Sequence, residues 1–342
     1  MRRFSVLALG VLMLLVSGLE WAQPPPATAN PFLHISDTGQ VVHVLPPPGL
    51  IRTPWDMQPA FAPASNGAAV YAASYGSGNL IDHGGLEIAN GAFQAIYWNS
   101  AVANSSATSQ GYPTILAQIS AFAGSFATGN NWSGSATDDY EIVQQYASHA
   151  PIANTLGNPP PFVDSRSAQS NIKDSQIQSY LASLFSGGKL APNSNTIYGV
   201  YFPAGMRINL GGGGASCSTF CGYHSVFTYS VNPVTQYQIK YAVFPYLNCS
   251  ACKLSSLSVA DMLTIVASHE IREAVTDPGD SGKHAWYDQQ GYEADDKCAW
   301  HNLYQMVNGG FWVQPEFSNG LTVNGVTYPS LGNGVGACVV PK

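Results

Sequence analysis

Residues 258–279 read S-V-A-D-M-L-T-I-V-A-S-H-E-I-R-E-A-V-T-D-P-G. Ser258 followed three residues later by Asp261 is a capping-box signature for a helix N-terminus. Met262, Ile265, Val266 and His269 then recur at helical spacing, and the Asp277-Pro278-Gly279 run stops a helix that extends to about Val275. Within it, His269 and Glu273 lie four residues apart, so both project from one face, one turn apart, and a single cation can touch both. Glu270 adjoins His269 and can reach a water on that cation without being a ligand. This is the arrangement of H-E-x-x-H metallopeptidases, with Glu in place of the second His. Zinc accepts either ligand. In a chain with eight His and seven Glu, the pattern arises by chance in only about three of a thousand sequences of this composition.

Outward from this helix, strand and helix patterns alternate. Phe93–Trp98, Thr196–Phe202 and Tyr237–Tyr246 are β-rich, as is the stretch near Phe311–Phe317, while Thr114–Phe126 and Ile172–Phe185 have helical apolar spacing. The order predicts an α+β class, a zincin-like domain with a mixed sheet packed on the active-site helix. Residues 61–342 would form it, preceded by a Pro-rich arm at 23–60, with PPP at 24–26 and again at 46–48.

The first 22 residues carry Arg2 and Arg3, an apolar run from Phe4 to Val16, and small residues near Gly18 and Ala22. That is a signal peptide, so the mature chain is expected to be secreted. Six cysteines, Cys217, Cys221, Cys249, Cys252, Cys298 and Cys338, fit an oxidising compartment and three disulfides. Cys298 would pair with Cys338, while local and crossed pairings of the other four stay open. The rival is a four-thiolate zinc site on Cys217, Cys221, Cys249 and Cys252. A net charge of −7 with only 10% charged residues argues against nucleic acid and anionic membranes as partners.

Nine of the 20 acidic residues fall between Asp261 and Asp296, a concentration that suggests cation binding. Calcium, which takes oxygen ligands, would leave His269 unexplained. A catalytic zinc needs a third protein ligand. Glu293 stands twenty residues beyond Glu273, the interval between the second and third ligands of thermolysin-like zinc peptidases, and His284 and Asp277 are the alternatives. Asp296 is then expected to hydrogen-bond the free nitrogen of His269. His224 reads as a satisfied structural histidine beside a disulfide, with a ligand or acid role as the alternative. Tyr287 and His301 are weaker candidates for stabilising an oxyanion. The GGGG run at 211–214 lacks the Lys-Ser/Thr of a phosphate loop, and no serine sits in a G-x-S-x-G elbow.

Taken together, S-H-E-x-x-E followed by D-P, Ala285-Trp286-Tyr287, Glu293-x-x-Asp296-x-Cys298, Cys217-x3-Cys221-Gly222-x-His224, Cys249-x2-Cys252, and Gly84-Gly85 before F-Q-A-I-Y-W resemble the Exordium-like, phosphate-induced protein 1 family. The resemblance spans roughly residues 80–300 in scattered motifs. It implies an extracellular or wall-associated protein with a zincin-like site. The family pattern has Asn where this chain has His284, which favours Glu293 as the third ligand.

The expectation is a secreted zinc metallopeptidase. Zinc is held by His269, Glu273 and Glu293, Glu270 is the general base, and the substrate is a protein or peptide. The alternative is a non-catalytic extracellular or cell-wall-associated protein that keeps the metal for structure or binding. Seven Trp and eighteen Tyr leave room for contact with cell-wall polysaccharide.

Overall fold

Period-two alternation organises the molecule. In the computed structural model, which describes residues 30–51, 68–108, 110–128 and 139–341, a seven-stranded mixed sheet is built from β1 (Leu33–Ile35), β2 (Val41–Leu45), β3 (Ala92–Tyr97), β4 (Phe162–Val163), β5 (Thr196–Tyr201), β6 (Gly222–Ser230) and β7 (Gln236–Phe244). Their order is β1-β2-β6-β7-β5-β3-β4. The first four of these pair antiparallel, and from β7 onward the neighbours run parallel. Leu45, Phe93, Tyr97, Ile197, Tyr201, Ala242 and Phe244 point to one face and share a core with helices α1 (Ile115–Phe126) and α3 (Val259–Thr276). Their neighbours Val44, Ile96, Tyr198, Val200, Tyr241 and Val243 point to the other and pack on α2 (Asp174–Ser186). The fold is thus α+β, with the sheet between helices.

α3 forms as its sequence predicts. Ser258 Oγ accepts from the Asp261 amide (3.1 Å) while Asp261 Oδ2 accepts from the Ser258 amide (3.0 Å), so two end donors are satisfied reciprocally. Asp277 caps the C-terminus, and Gly279 takes a positive φ of 68° in the turn that follows. Every residue from Ala260 to Thr276 is buried, because the helix is enclosed by the sheet, by α1, and by the segment around Trp312, whose carbonyl accepts from Thr264 Oγ1 at 2.7 Å. A helix covered on all sides has no polar stripe to display. Its fit to the sheet depends on Gly222 in β6, where a Cβ would stand 2.3 Å from Val266 Cγ1.

The structure differs from the sequence expectation in four places. β1 and β2 lie within the span read as a Pro-rich arm, and β2 is an interior strand between β1 and β6. The prolines at 46–48 begin only where its pairing ends. β6 was not anticipated. The predicted Phe311–Phe317 strand is two short ones, Trp312–Val313 and Glu316–Ser318, because Pro315 cannot donate to a ladder. α2 begins at Asp174 rather than Ile172, since Asn171–Lys173 pairs with Arg207–Asn209 instead. The signal peptide and most of the arm lie outside the described residues.

Three disulfides are present: Cys217–Cys249, Cys221–Cys252 and Cys298–Cys338. The four upstream cysteines pair crosswise, which replaces the thiolate-zinc reading and ties the lead-in to β6 to the lead-in to α3. Each bridge closes a loop of 31 to 40 residues, worth about 3–4 kcal/mol in the chain-entropy description. No described helix is long and apolar enough to cross a membrane.

Candidate metal centre

His269 and Glu273 face the sheet from the middle of α3, and their ligand atoms meet, with His269 Nε2 3.0 Å from Glu273 Oε2. Directly opposite, β2 and β6 present His43 and His224, which are register partners and therefore share a face. Their rings stack with centroids 5.6 Å apart. The chain after α3 closes the remaining side. Asp277 Oδ1 accepts from the Ala285 amide at 2.6 Å and its Oδ2 lies 3.2 Å from His284 Nδ1. Lys240 of β7 pins the intervening turn through Asp280 at 2.7 Å. Farther on, the 293–296 turn is held by Asp296 Oδ2, which accepts from the Glu293 amide (3.0 Å), and by Glu273 Oε1, which accepts from the Asp296 amide (2.8 Å).

The ligand atoms collect into three overlapping groups, each within 4.8 Å internally: His269, Glu270 and Glu273; His224, Glu273 and Glu293; and His43, Asp277, His284 and Glu293. Glu273 belongs to the first two and Glu293 to the last two. Glu293 therefore meets Glu273 alongside His224, and none of these groups brings it together with His269. The alternatives for a third ligand, Asp277 and His284, stand with Glu293 and His43 in the outer group.

His43 Nδ1, His269 Nε2, Glu270 Oε1, Glu273 Oε2, Asp296 Oδ1 and both oxygens of Glu293 are buried without a hydrogen-bond partner. They are nevertheless close to one another: His43 Nδ1 to Glu293 Oε1 is 3.0 Å, His224 Nε2 to Glu293 Oε2 is 3.5 Å, and His269 Nε2 to Asp296 Oδ1 is 3.6 Å. Unpaired, each such atom costs about 1–3 kcal/mol. Two ligands on a tetrahedral zinc, each about 2.0–2.1 Å from it, are about 3.3 Å apart, so these separations fit ligands that share an ion as well as they fit direct His–carboxylate ion pairs.

The electrostatics are consistent with this. Seven carboxyls, Glu270, Glu273, Asp277, Glu293, Asp295, Asp296 and Glu316, are buried, as is the Arg272 guanidinium. Arg272 is committed to Asp295, to Glu316 and to the carbonyls of Asp139 and Gln314. Burial, reinforced by the charge of Glu273, pushes Glu270, Glu293 and Asp296 well above the ordinary carboxylate range. Burial acts on Glu273 in the same direction, but His269 and His224 hold it below its usual value. Burial lowers His43 to about 3 and His224 to about 4, leaving neutral imidazoles with a lone pair to give. At Glu270, Glu293 and Asp296 burial thus favours the protonated form.

Two smaller expectations are corrected here. His224 adjoins Cys221 in sequence, yet its ring belongs to this cluster, with Nδ1 3.1 Å from Glu270 Oε2. The partner of His269 Nδ1 is Gln314, at 3.0 Å, whereas Asp296 faces the other ring nitrogen. The same Gln314 amide nitrogen donates to the Asp295 carbonyl at 2.6 Å. As placed, Gln314 Nε2 donates to both the Asp295 carbonyl and His269 Nδ1, which leaves the ring proton on Nε2; freeing His269 Nε2 for a cation requires that proton to move to Nδ1 and Gln314 to give up its hydrogen bond to the Asp295 carbonyl. His43 had gone unsuspected. Its only signal is a polar residue at an inward position of an apolar strand, V-V-H-V-L.

A cleft of about 650 Å³ opens onto the cluster, lined by His43, His224, Asp277, His284 and Tyr287 and by Leu33 of the edge strand β1. Tyr287 stacks on His83, centroids 3.5 Å apart. His301 lies apart from the cluster, 3.1 Å from the Tyr75 hydroxyl. No family model matches the chain, and neither a curated protein nor a solved structure is similar to it.

Proposed function

We propose that the protein is a secreted, zinc-dependent hydrolase of zincin type that cleaves peptide bonds, with His269, Glu273 and Glu293 as metal ligands and His224 beside them. The observation that carries this reading is the set of bare, buried nitrogen and oxygen atoms contributed by the H-E-x-x-E turn and by Glu293, facing imidazoles at ligand-to-ligand distances. Bound zinc supplies Lewis acidity and lowers the pKa of a water. Glu270 is the base for that water. Its Oε2 is held against His224 Nδ1 and its Oε1 is unengaged, and a carboxyl with a raised pKa can both take a proton and return it to a leaving amine. β1, an edge strand whose Leu33 lines the cleft, offers backbone groups to an extended peptide. An extracellular setting accords with the three disulfides, and the likeness to the Exordium-like proteins is one of scattered motifs.

One observation favours the non-catalytic alternative: His269 and Glu270 are fully buried and do not line the cleft, as expected of a metal kept for structure. Metal analysis of the purified mature protein, together with digestion of a broad peptide library with and without chelator, separates the two. The hydrolase reading requires zinc and chelator-sensitive cleavage. Active, metal-free protein would overturn it, and zinc without cleavage would favour the structural alternative.

A further inference from the structure

We propose that His43, Asp277, His284 and Glu293 bind a second zinc-class cation, at the floor of the cleft and next to the first. One donor atom from each of these four residues lies within 4.8 Å of the other three. They come from β2, from the end of α3 and from two turns after it, so only the tertiary fold assembles them. His43 and His284 rings are 5.4 Å apart, and His43 Nδ1 is 3.0 Å from Glu293 Oε1. Those last two atoms are buried and make no hydrogen bond, even with each other. An imidazole nitrogen and a carboxylate oxygen so close and yet misaligned gain little from one another; a cation between them would satisfy both.

The frame is already fixed. The Ala285 amide anchors Asp277 Oδ1, and Asp277 Oδ2 pairs with His284 Nδ1 at 3.2 Å, a contact that a cation between them would replace. At Gly279 a Cβ would stand 3.3 Å from His284 Cε1, so the turn that brings His284 back onto Asp277 is tight. Two imidazoles and two carboxylates are a donor set for zinc rather than for calcium or magnesium, which prefer oxygen alone. Two carboxylates also balance the charge of a divalent ion.

Glu293 links the two positions. Its Oε1 faces His43, and its Oε2 faces His224 Nε2 at 3.5 Å. If His269 and Glu273 hold a first zinc, one carboxylate borders both ions, as suits the two-metal hydrolases that stabilise attacking and leaving oxygens together. That pairing rests on the proposed function, whereas the second site stands on its own four residues. It is also the position in contact with the cleft: His43, Asp277 and His284 line it, and His269 and Glu273 do not.

The test is zinc stoichiometry. Chelator-stripped full-length mature protein is titrated with zinc chloride, and bound metal is counted by elemental analysis after desalting. Thermal melts confirm that each variant is folded. Wild type should bind two equivalents. His284→Gln, at a side chain about one-third exposed and so tolerant of change, should bind one, as should His43→Gln. Glu273→Gln should also bind one, retained in the cleft. The second site is refuted if His284→Gln and His43→Gln still bind as much as wild type. If a single wild-type equivalent is lost in those two variants but kept in Glu273→Gln, the cleft site stands and the helix site falls. No binding by folded wild type refutes both.

Discussion

Adding one methyl group at Gly222 tests how the site is held together. A Cβ there would lie 2.3 Å from Val266 Cγ1 and 3.1 Å from Glu270 Oε1, against an ordinary carbon contact of about 3.5–4.0 Å. Val266 is β-branched and buried in the helix, so it has no other rotamer into which to retreat. β6 and α3 must therefore separate by more than about 1 Å at this point. Overpacking of this kind costs about 1–3 kcal/mol, equivalent to roughly 1.5–5 °C in Tm for a chain of this size. The strand displaced carries His224 two residues on, and the helix carries Glu270 one turn on, so Gly222→Ala should weaken zinc binding as well as stability. Differential scanning calorimetry and zinc competition on the same sample measure the two effects. An unchanged Tm with unchanged zinc affinity would refute the close packing of α3 on β6 from which the site is derived.

Other substitutions probe the surroundings. Arg272→Met keeps much of the side-chain volume but strands Asp295 and Glu316; breaking a buried pair costs about 3–5 kcal/mol, which chemical denaturation should register, and a loss below about 1 kcal/mol would show that these acids are protonated and indifferent to Arg272. Asp139, buried and accepting from Tyr304 Oη at 2.8 Å, is raised by burial to about 7. Between its usual value near 3.8 and about 7 the folded state holds a proton that the unfolded state has released, so its contribution is present at low pH and lost as pH rises through 7. Asp139→Asn should accordingly flatten the decline in Tm from pH 5 to pH 8, and identical slopes for wild type and variant would remove Asp139 as its source. Gln314→Ala, which deletes the partner of His269 Nδ1, should weaken zinc binding by roughly 10- to 100-fold in equilibrium titration, and undiminished affinity would show that His269 needs no such support.

α3 was legible because its signals are local: a capping box, helical spacing, and a stop at Asp277-Pro278 within twenty residues of sequence. β3, β5 and β7 were legible for the same reason, as β-rich runs. β2 was hidden by the prolines on either side of its neighbourhood, although V-V-H-V-L alternates correctly. β6 was hidden by the adjacent cysteines and glycines, which read as a loop. These two strands supply His43 and His224, so half of the site's imidazoles depend on strand register across some 180 residues, which no local pattern encodes. His269, Glu270, Glu273, Glu293, Asp277 and His284 were each picked out from spacing and composition. Their division into an inner and an outer group required the fold, as did the replacement of Asp296 by Gln314 behind His269. The crossed disulfides were equally beyond the sequence, since four cysteines in two close pairs allow either arrangement.

The most direct measurement is hydrolysis of a peptide library by zinc-loaded wild type and Glu270→Gln, with bound zinc counted in the same preparations. The substitution preserves shape and the contact with His224 but removes the basic oxygen. Zinc content and Tm should be unchanged, while cleavage falls by roughly 10²- to 10⁴-fold, the loss typical of a missing acid-base group. Equal cleavage by the two proteins would contradict the assignment of Glu270 and, with it, the zincin mechanism.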